Sequence, residues 1–218
     1  MRLIESEGEV VIKEAEESCG GHGVFFFDAA RDDAKSFWAF CNKTKHDLVV
    51  QAIIKQSPIL DRLNPSSVNT VRIVSHLRMD GSVKIYSAIL RMGVNGSRVD
   101  NASSGGITCG ISSDGRLKDV AYSASGDKYY EHPNSHVKFG TVVVPGFQDA
   151  LGVAKRCQRN FGHFRLLSWD FAINESGIPV LIEVNLSYGQ LDFHQLNNGP
   201  IFGDDLPKIL DEVFAKKR

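Results

Sequence analysis

Three turn signals govern what this chain can fold into. Asp80-Gly81 separates the apolar runs 70–77 and 83–90. Asp114-Gly115 separates 107–111 from 117–121, and Glu175-Ser-Gly177 separates 166–173 from 180–184. Asp-Gly between apolar runs is the strongest short-range hairpin signal, because the tight turn that matches strand twist needs φ > 0 at its centre. Each signal therefore predicts a pair of adjacent antiparallel strands. Runs 10–12 and 24–27 read as a further hairpin, joined by a polar loop that ends in Gly20-Gly-His-Gly23. Residues 48–54 form another strand-like run, broken by Gln51.

Helical periodicity is sparser. Ala34, Phe37, Trp38 and Cys41 recur at i, i+3, i+4 and i+7 behind Asp32 and Asp33, which suit a helix N-terminus. Phe147, Leu151, Ala154, Cys157 and Phe161 predict a second helix that stops before Gly162. Leu206, Ile209, Leu210, Val213 and Phe214 predict a third. Residues 95–104 read as irregular and 122–133 as surface loop. The turn-rich stretch 57–67, with Pro58 and Asn64-Pro65, marks a boundary between subdomains 1–56 and 57–218. The sum is an α+β fold of antiparallel hairpins covered by about three helices, not a doubly wound parallel sheet.

Charge and composition narrow the function classes. Lys and Arg number 25 against 26 Asp and Glu, a formal net charge of -1. That argues against bulk electrostatic binding to nucleic acid or an acidic membrane, yet allows a local basic pocket. Cys19, Cys41, Cys109 and Cys157 lack the spacing of a zinc knuckle or redox dithiol. The start is acidic, without a signal-peptide pattern, and no run approaches the ~18 apolar residues of a membrane span. The expected compartment is the cytoplasm. The apolar pattern begins by Glu9 with almost no lead-in, as if in the middle of something.

Phosphate-loop, dinucleotide, zinc-helix and hydrolase-elbow motifs are absent. What chemistry there is lies in the strands. Glu183 and Asn185, two apart on one strand, share a face, and a hairpin partner can bring Asp170 beside them. Three hard oxygen donors on rigid strands suit Mg²⁺. The plain alternative is the solvent face of a hairpin, although a lone charge in strands this apolar is costly. Lys13 and the loop Gly20, Gly21, His22 and Gly23 could cradle a phosphate, or be an ordinary exposed lysine and hairpin tip. Arg72 and Arg91 sit in apolar strands, followed by Asn101 and Gly105-Gly106. They could hold a phosphoryl group or carboxylate in bidentate fashion, or lie on a hairpin rim.

The order of these elements carries more than any one of them. Lysine and glycine loop, arginine, hairpin, arginine, asparagine and Gly-Gly, aspartate, then Glu-x-Asn resembles the ATP-grasp superfamily from about Glu9 to the chain end. The stretches Asn64-Pro-Ser-Ser-Val-Asn-Thr-Val-Arg72, Ser97-Arg-Val-Asp-Asn101, Ser168-Trp-Asp-Phe-Ala172 and Asp192-Phe-His-Gln-Leu-Asn-Asn-Gly-Pro200 look like the sugar-transfer-associated ATP-grasp family. The resemblance implies an ATP-grasp core, two α+β subdomains with antiparallel sheets clasping a nucleotide cleft. Residues 1–56 would be the lid with the glycine loop, and 57–218 the large subdomain with a Mg-binding hairpin.

The same resemblance implies roles. Lys13 would touch the α/β-phosphates, and Gly20, Gly21, His22 and Gly23 would close over them. The segment Val50-Gln51-Ala52-Ile53 would be the adenine hinge; Gln51 stands where an acidic residue is common, and a backbone contact tolerates that. Asp170, Glu183 and Asn185 would hold one or two Mg²⁺ (or Mn²⁺) ions. Arg72 and Arg91, with Asn101, would stabilise the transferring phosphoryl group. The His194 region would either approach the substrate or form a hydrogen-bonded core loop. The expected activity is an ATP- and Mg-dependent carboxylate–amine ligase, acting through an acyl phosphate on a carboxylate or sugar-linked acceptor in polysaccharide or sugar metabolism. A nucleotide-binding fragment without its own activity and an ATP-grasp phosphotransferase are the alternatives. The family usually carries a further N-terminal domain, so a missing upstream domain or partner is also expected.

Overall fold

A computed structural model describes residues 2–15, 23–44, 47–102, 105–187 and 189–214. The chain divides into two units, Met1–Lys55 and Gln56–Arg218.

The first unit runs α1 (Arg2–Glu7), β1 (Glu9–Glu14), β2 (Val24–Asp28), α2 (Ala34–Cys41) and β3 (Leu48–Ala52). Its sheet is antiparallel, in the order β2-β1-β3. Alternation along β1 buries Val10 and Ile12 completely, and Phe27 joins them from β2. Ile4, Phe25, Phe37, Phe40 and Leu48 pack around this cluster, with the Phe25 and Phe40 rings stacked at 5.0 Å. Asp33 caps α2, its Oδ1 accepting from Ser36 N–H at 2.8 Å. Helix α1 corrects the expectation of almost no lead-in before Glu9. Six residues are too few for a stable isolated helix, so packing of Ile4 on the sheet supplies what propensity cannot. Strand β3 ends at Ala52, earlier than expected, which leaves Ile53 outside it.

The second unit contains α3 (Pro58–Asp61), β4 (Thr70–Leu77), β5 (Val83–Met92), β6 (Ile107–Ile111), β7 (Leu117–Ser123), β8 (Lys128–Tyr129), α4 (Phe147–Gln158), β9 (Leu166–Ile173), β10 (Pro179–Asn185), α5 (Leu191–Asn198) and α6 (Leu206–Phe214). Its sheet is wholly antiparallel, in the order β10-β9-β4-β5-β6-β7-β8. The three signalled hairpins are β4-β5, β6-β7 and β9-β10. The long connection to β9 lets that strand pair with β4, and so places the last hairpin beside the first.

The sheet's two faces differ in kind. Val71, Ile73, Leu90, Trp169 and Phe171 point to one side and bury against Phe147, Ala150 and Ala154 of α4. Residues one step out of phase point to the other, where Asn197 and Asn198 of α5 hydrogen-bond Thr108 and the Ala88 carbonyl.

Three expectations change here. Residues 122–133 are not simply surface loop: β7 continues to Ser123, β8 pairs with it, and Glu131 bridges Lys138. Too few alternating apolar residues mark β8 for pattern reading to find it. Helix α4 stops at Gln158 rather than near Gly162, where tighter turns replace the helical ladder: Asn160 N–H donates to the Cys157 carbonyl at 2.9 Å and Phe161 N–H to the Gln158 carbonyl at 3.0 Å. The buried Gln158 side chain accepts from Ser75 Oγ at 2.5 Å and donates to the Phe164 carbonyl at 2.9 Å. Phe161 keeps its place against Trp169, 5.7 Å between ring centres. His194 lies on a helix, α5, not a loop; polar contacts to the sheet hold that helix, so it has no clear apolar period. Among the described residues no helix is long and apolar enough to cross a membrane.

Candidate functional site

The polar face of the larger sheet gathers the strand-borne charges. Arg72 of β4 lies opposite Asp170 of β9, and Asp170 lies opposite Glu183 of β10, so the three form one cross-strand row. Directly opposed residues project together and approach closely. Arg72 Nε donates to Asp170 Oδ1 at 2.6 Å and Nη2 to Oδ2 at 2.5 Å, a bidentate fork. Arg91 lies two residues beyond Ile89, the partner of Arg72, and therefore on the same face. Its Nη1 reaches Asp170 Oδ2 at 3.0 Å.

Burial explains why so many bonds converge. Arg72, Arg91 and Asp170 are 4, 5 and 2% exposed, and a buried charge is tolerated only when paired. Two arginines need more than one carboxylate. Asp100 supplies the second, 3.3 Å from Arg91 Nη2, while its other oxygen accepts from the Thr70 N–H at 3.1 Å and from the Thr70 hydroxyl. Arg91 also donates to Asn101 Oδ1, and Arg72 Nη1 donates to Gln190 Oε1. Gly106 lets this segment lie close: a Cβ there would stand 2.6 Å from the Asp100 carbonyl and 2.9 Å from those of Asn101 and Met92.

The two carboxylates of the row are driven apart. Burial alone would raise Asp170, but the hydrogen bonds and charge of Arg72, with the charge of Arg91, hold it below the usual carboxylate range. Partial burial and then the neighbouring Asp170 push Glu183 above its usual value. The Glu183 side chain is 53% exposed, with Arg72 Nη2 at 3.7 Å. Asn185 Nδ2 donates to Glu183 Oε1 at 3.3 Å, so the two candidate donors touch.

This donor set fits a hard divalent cation. Glu183 is raised by burial and then by a like charge that a cation would offset, and Asn185 adds a neutral oxygen. Among the described residues no group of three or more His, Cys, Asp and Glu side chains could hold a metal ion. A cation here would rest on two carboxylates at most and complete its shell with ligand and water oxygens, as Mg²⁺ does. Asp170, expected as a metal ligand, also has both its oxygens engaged by arginines. Beside Asn185 and Gln190 opens a cavity of about 460 Å³, which Ser168, Leu191 and Asp192 also line.

Of the expected site residues, Arg72, Arg91, Asn101, Asp170, Glu183 and Asn185 are thus brought together in one unit. Lys13, Gly23, Gln51 and Ile53 belong to the other. Lys13 is half-buried near the end of β1, opposite Val24 and Val49. Gln51 is exposed on β3 opposite Val11, and Ile53 is half-buried. Gly23 has φ +72°, and its carbonyl accepts from the Glu14 N–H at 3.2 Å. Gly20, Gly21 and His22 lie outside the described residues.

Sequence reasoning missed Asp100 and Gln190. Asp100 had a signal, since two buried arginines demand a second counter-charge. Gln190 had none: it takes φ 52° just before α5, a left-handed conformation unusual for glutamine.

The family described as sugar-transfer-associated ATP-grasp matches residues 2–209. No curated protein matches the chain. Among solved structures, D-cycloserine synthetase is 13% identical with a TM-score of 0.52, covering 96% of this chain and 59% of its own. The biotin carboxylase domain of 2-oxoglutarate carboxylase from Hydrogenobacter thermophilus, crystallised with MgADP, ADP and bicarbonate, is 12% identical with a TM-score of 0.53, covering 85% of this chain and 32% of its own. An ADP complex of N5-carboxyaminoimidazole ribonucleotide synthetase is 11% identical with a TM-score of 0.50, covering 84% of this chain and 36% of its own. The chain thus has their fold and spans between about a third and three fifths of their lengths.

Proposed function

The chain belongs to the sugar-transfer-associated ATP-grasp family, and on that premise we propose that it is an ATP- and Mg²⁺-dependent ligase of the carboxylate–amine type. The observation that carries the reading is the buried Arg72–Asp170–Arg91 cluster beside the Glu183-x-Asn185 pair on one sheet face. Fixed positive charge next to exposed hard oxygen donors is what phosphoryl transfer asks of a protein. Glu183 and Asn185, with Asp170, would hold Mg²⁺, which supplies charge neutralisation for the phosphates.

In this reading residues 1–56 form the lid and carry the nucleotide through Lys13, the 20–23 loop and the backbone of Gln51 and Ile53. The acceptor's carboxylate oxygen attacks the γ-phosphorus, the bond to the bridging oxygen breaks, and ADP leaves. An amine then attacks the acyl carbon, loses a proton, and releases phosphate. Arg72 and Arg91 act in both steps by holding negative charge on the phosphoryl oxygens. Gln190 and Asn101 keep the two guanidinium planes oriented. A sugar-linked acceptor is supported by the family's name alone.

Nucleotide titration tests the proposal. ATP should bind in the presence of Mg²⁺ and lose affinity without it, and Glu183→Ala should abolish the Mg²⁺ effect while leaving the melting temperature within a few degrees. No binding of ATP or ADP at millimolar concentration would overturn it. Turnover that yields a phosphorylated acceptor rather than an amide would identify a phosphotransferase instead.

A further inference from the structure

Arg91 stands between two carboxylates. Its Nη1 donates to Asp170 Oδ2 at 3.0 Å, while its Nη2 lies 3.3 Å from Asp100 Oδ1 and donates to Asn101. The two anions differ in how they are held. Asp100 is 8% exposed, and its Oδ2 accepts from the Thr70 N–H at 3.1 Å and from the Thr70 hydroxyl. Thr70 is itself the cross-strand partner of Arg91. The backbone around Asp100 is pinned as well. Gly106 N–H donates to the Asn101 carbonyl at 3.1 Å, and a Cβ on Gly93 would stand 2.8 Å from the Val99 carbonyl.

Asp170 has other demands on it. It lies opposite Glu183, whose carboxylate accepts from Asn185, where a cation would come. Arginine hydrogens occupy three of the roughly four acceptor positions on its oxygens. A cation drawn to Asp170 competes with those donors and with two positive charges. The arginines are not equally able to yield. Arg72 grips Asp170 by two short bonds, 2.6 and 2.5 Å, and its other partners are the neutral Gln190 and Glu183 of the same row. Arg91 has one longer bond to Asp170 and a second carboxylate outside the row. A buried guanidinium can leave one anion only if another keeps it paired.

We propose that Asp100 is a positioning residue for the cation site: it keeps Arg91 paired while Arg91 releases Asp170 to the metal. The inference rests on the ligase reading above. The Nη1 hydrogen that Arg91 frees is then available to a phosphoryl oxygen. The readout is the gain in ADP affinity that Mn²⁺ brings, from calorimetric titrations with Mn²⁺ and with a chelator. Asp100→Asn leaves Arg91 with Asp170 as its one carboxylate among the described residues. The gain should therefore fall by about tenfold, the scale of one hydrogen bond to a charged group. ADP affinity without metal should be unchanged. Because Asp100 acts through Arg91, adding Asp100→Asn to Arg91→Met should lower the gain no further.

An unchanged gain in Asp100→Asn would overturn the proposal. So would the same loss in both backgrounds, the mark of a carboxylate that merely attracts the cation from a distance. Wild type that binds no ADP, or binds it without any effect of Mn²⁺, would strike the ligase reading and this proposal with it. Should either variant not fold, Thr70 decides. Thr70→Val removes the hydroxyl that steadies Asp100 and should lower the gain by about threefold, whereas Thr70→Ser keeps that hydroxyl and should match wild type. Equal gains in the two refute the role.

Discussion

Replacing Asp170 with asparagine preserves side-chain shape and removes the charge on which two buried guanidinium groups converge. Three arginine contacts, at 2.5, 2.6 and 3.0 Å, lose their anionic acceptor. Breaking a buried ion pair from one side costs about 3–5 kcal/mol, mostly because the remaining charge stays buried without compensation. Here the remaining charges keep part of their support. Arg91 retains Asp100 at 3.3 Å and Asn101, and Arg72 retains Gln190 and the approach to Glu183. The expected loss is therefore at the lower end, about 3 kcal/mol. In a chain of this size that corresponds to a fall of about 6–12 °C in the melting temperature. Calorimetry of Asp170→Asn, Arg72→Gln and the double variant measures it. Because the pair acts as one unit, the double variant should fall short of the sum by at least about 1 kcal/mol. A shift under about 2 °C, or strict additivity, would show that the cluster is not holding the sheet together.

Three shorter expectations accompany this one. Lys13→Ala should weaken ATP binding by about tenfold, the loss of one charge-assisted contact; equal affinity by calorimetric titration removes Lys13 from the nucleotide site. Glu183 is raised above 4.5, so the native state holds its proton more tightly than the unfolded chain, and stability from this group falls as pH rises from about that value through the raised one. Asp170 has the opposite sign: its contribution is present above the unfolded value of 3.8 and is lost as pH falls through its lowered one. Glu183→Gln should remove the first slope in a melting series against pH and leave the second. Gln158→Ala strands the Ser75 hydroxyl and the Phe164 carbonyl, and should cost about 1–3 kcal/mol in urea unfolding.

How much of this could be read beforehand depended on range along the chain. Asp80-Gly81, Asp114-Gly115 and Glu175-Ser-Gly177 declare their hairpins locally, so β4 to β7 and β9-β10 were visible. The pairing of β9 with β4 was not, since no local signal tells residues about a hundred apart that they are neighbours. That pairing is what turns Arg72 and Asp170, which looked like a phosphate clamp and a metal ligand, into partners. Glu183 and Asn185 were legible because a two-residue spacing survives any choice of neighbour. Helix α5 was missed for the opposite reason: its hold on the sheet is made of Asn197, Asn198 and His194, and polar anchors leave no hydrophobic period.

One irregularity in the last hairpin has a consequence of its own. Leu181 faces Phe171 and Glu183 faces Asp170, so Ile182 is an extra residue with no opposite number. Bulges of this kind bend a strand and sharpen its twist. Removing Ile182 would leave every remaining cross-strand partner in register and would straighten the backbone beneath the carboxylate. The residue therefore behaves like a shim under a lens: it contributes nothing to the optics and sets where the lens points. Chain length at this position, rather than the identity of any side chain, is then a means of re-aiming Glu183.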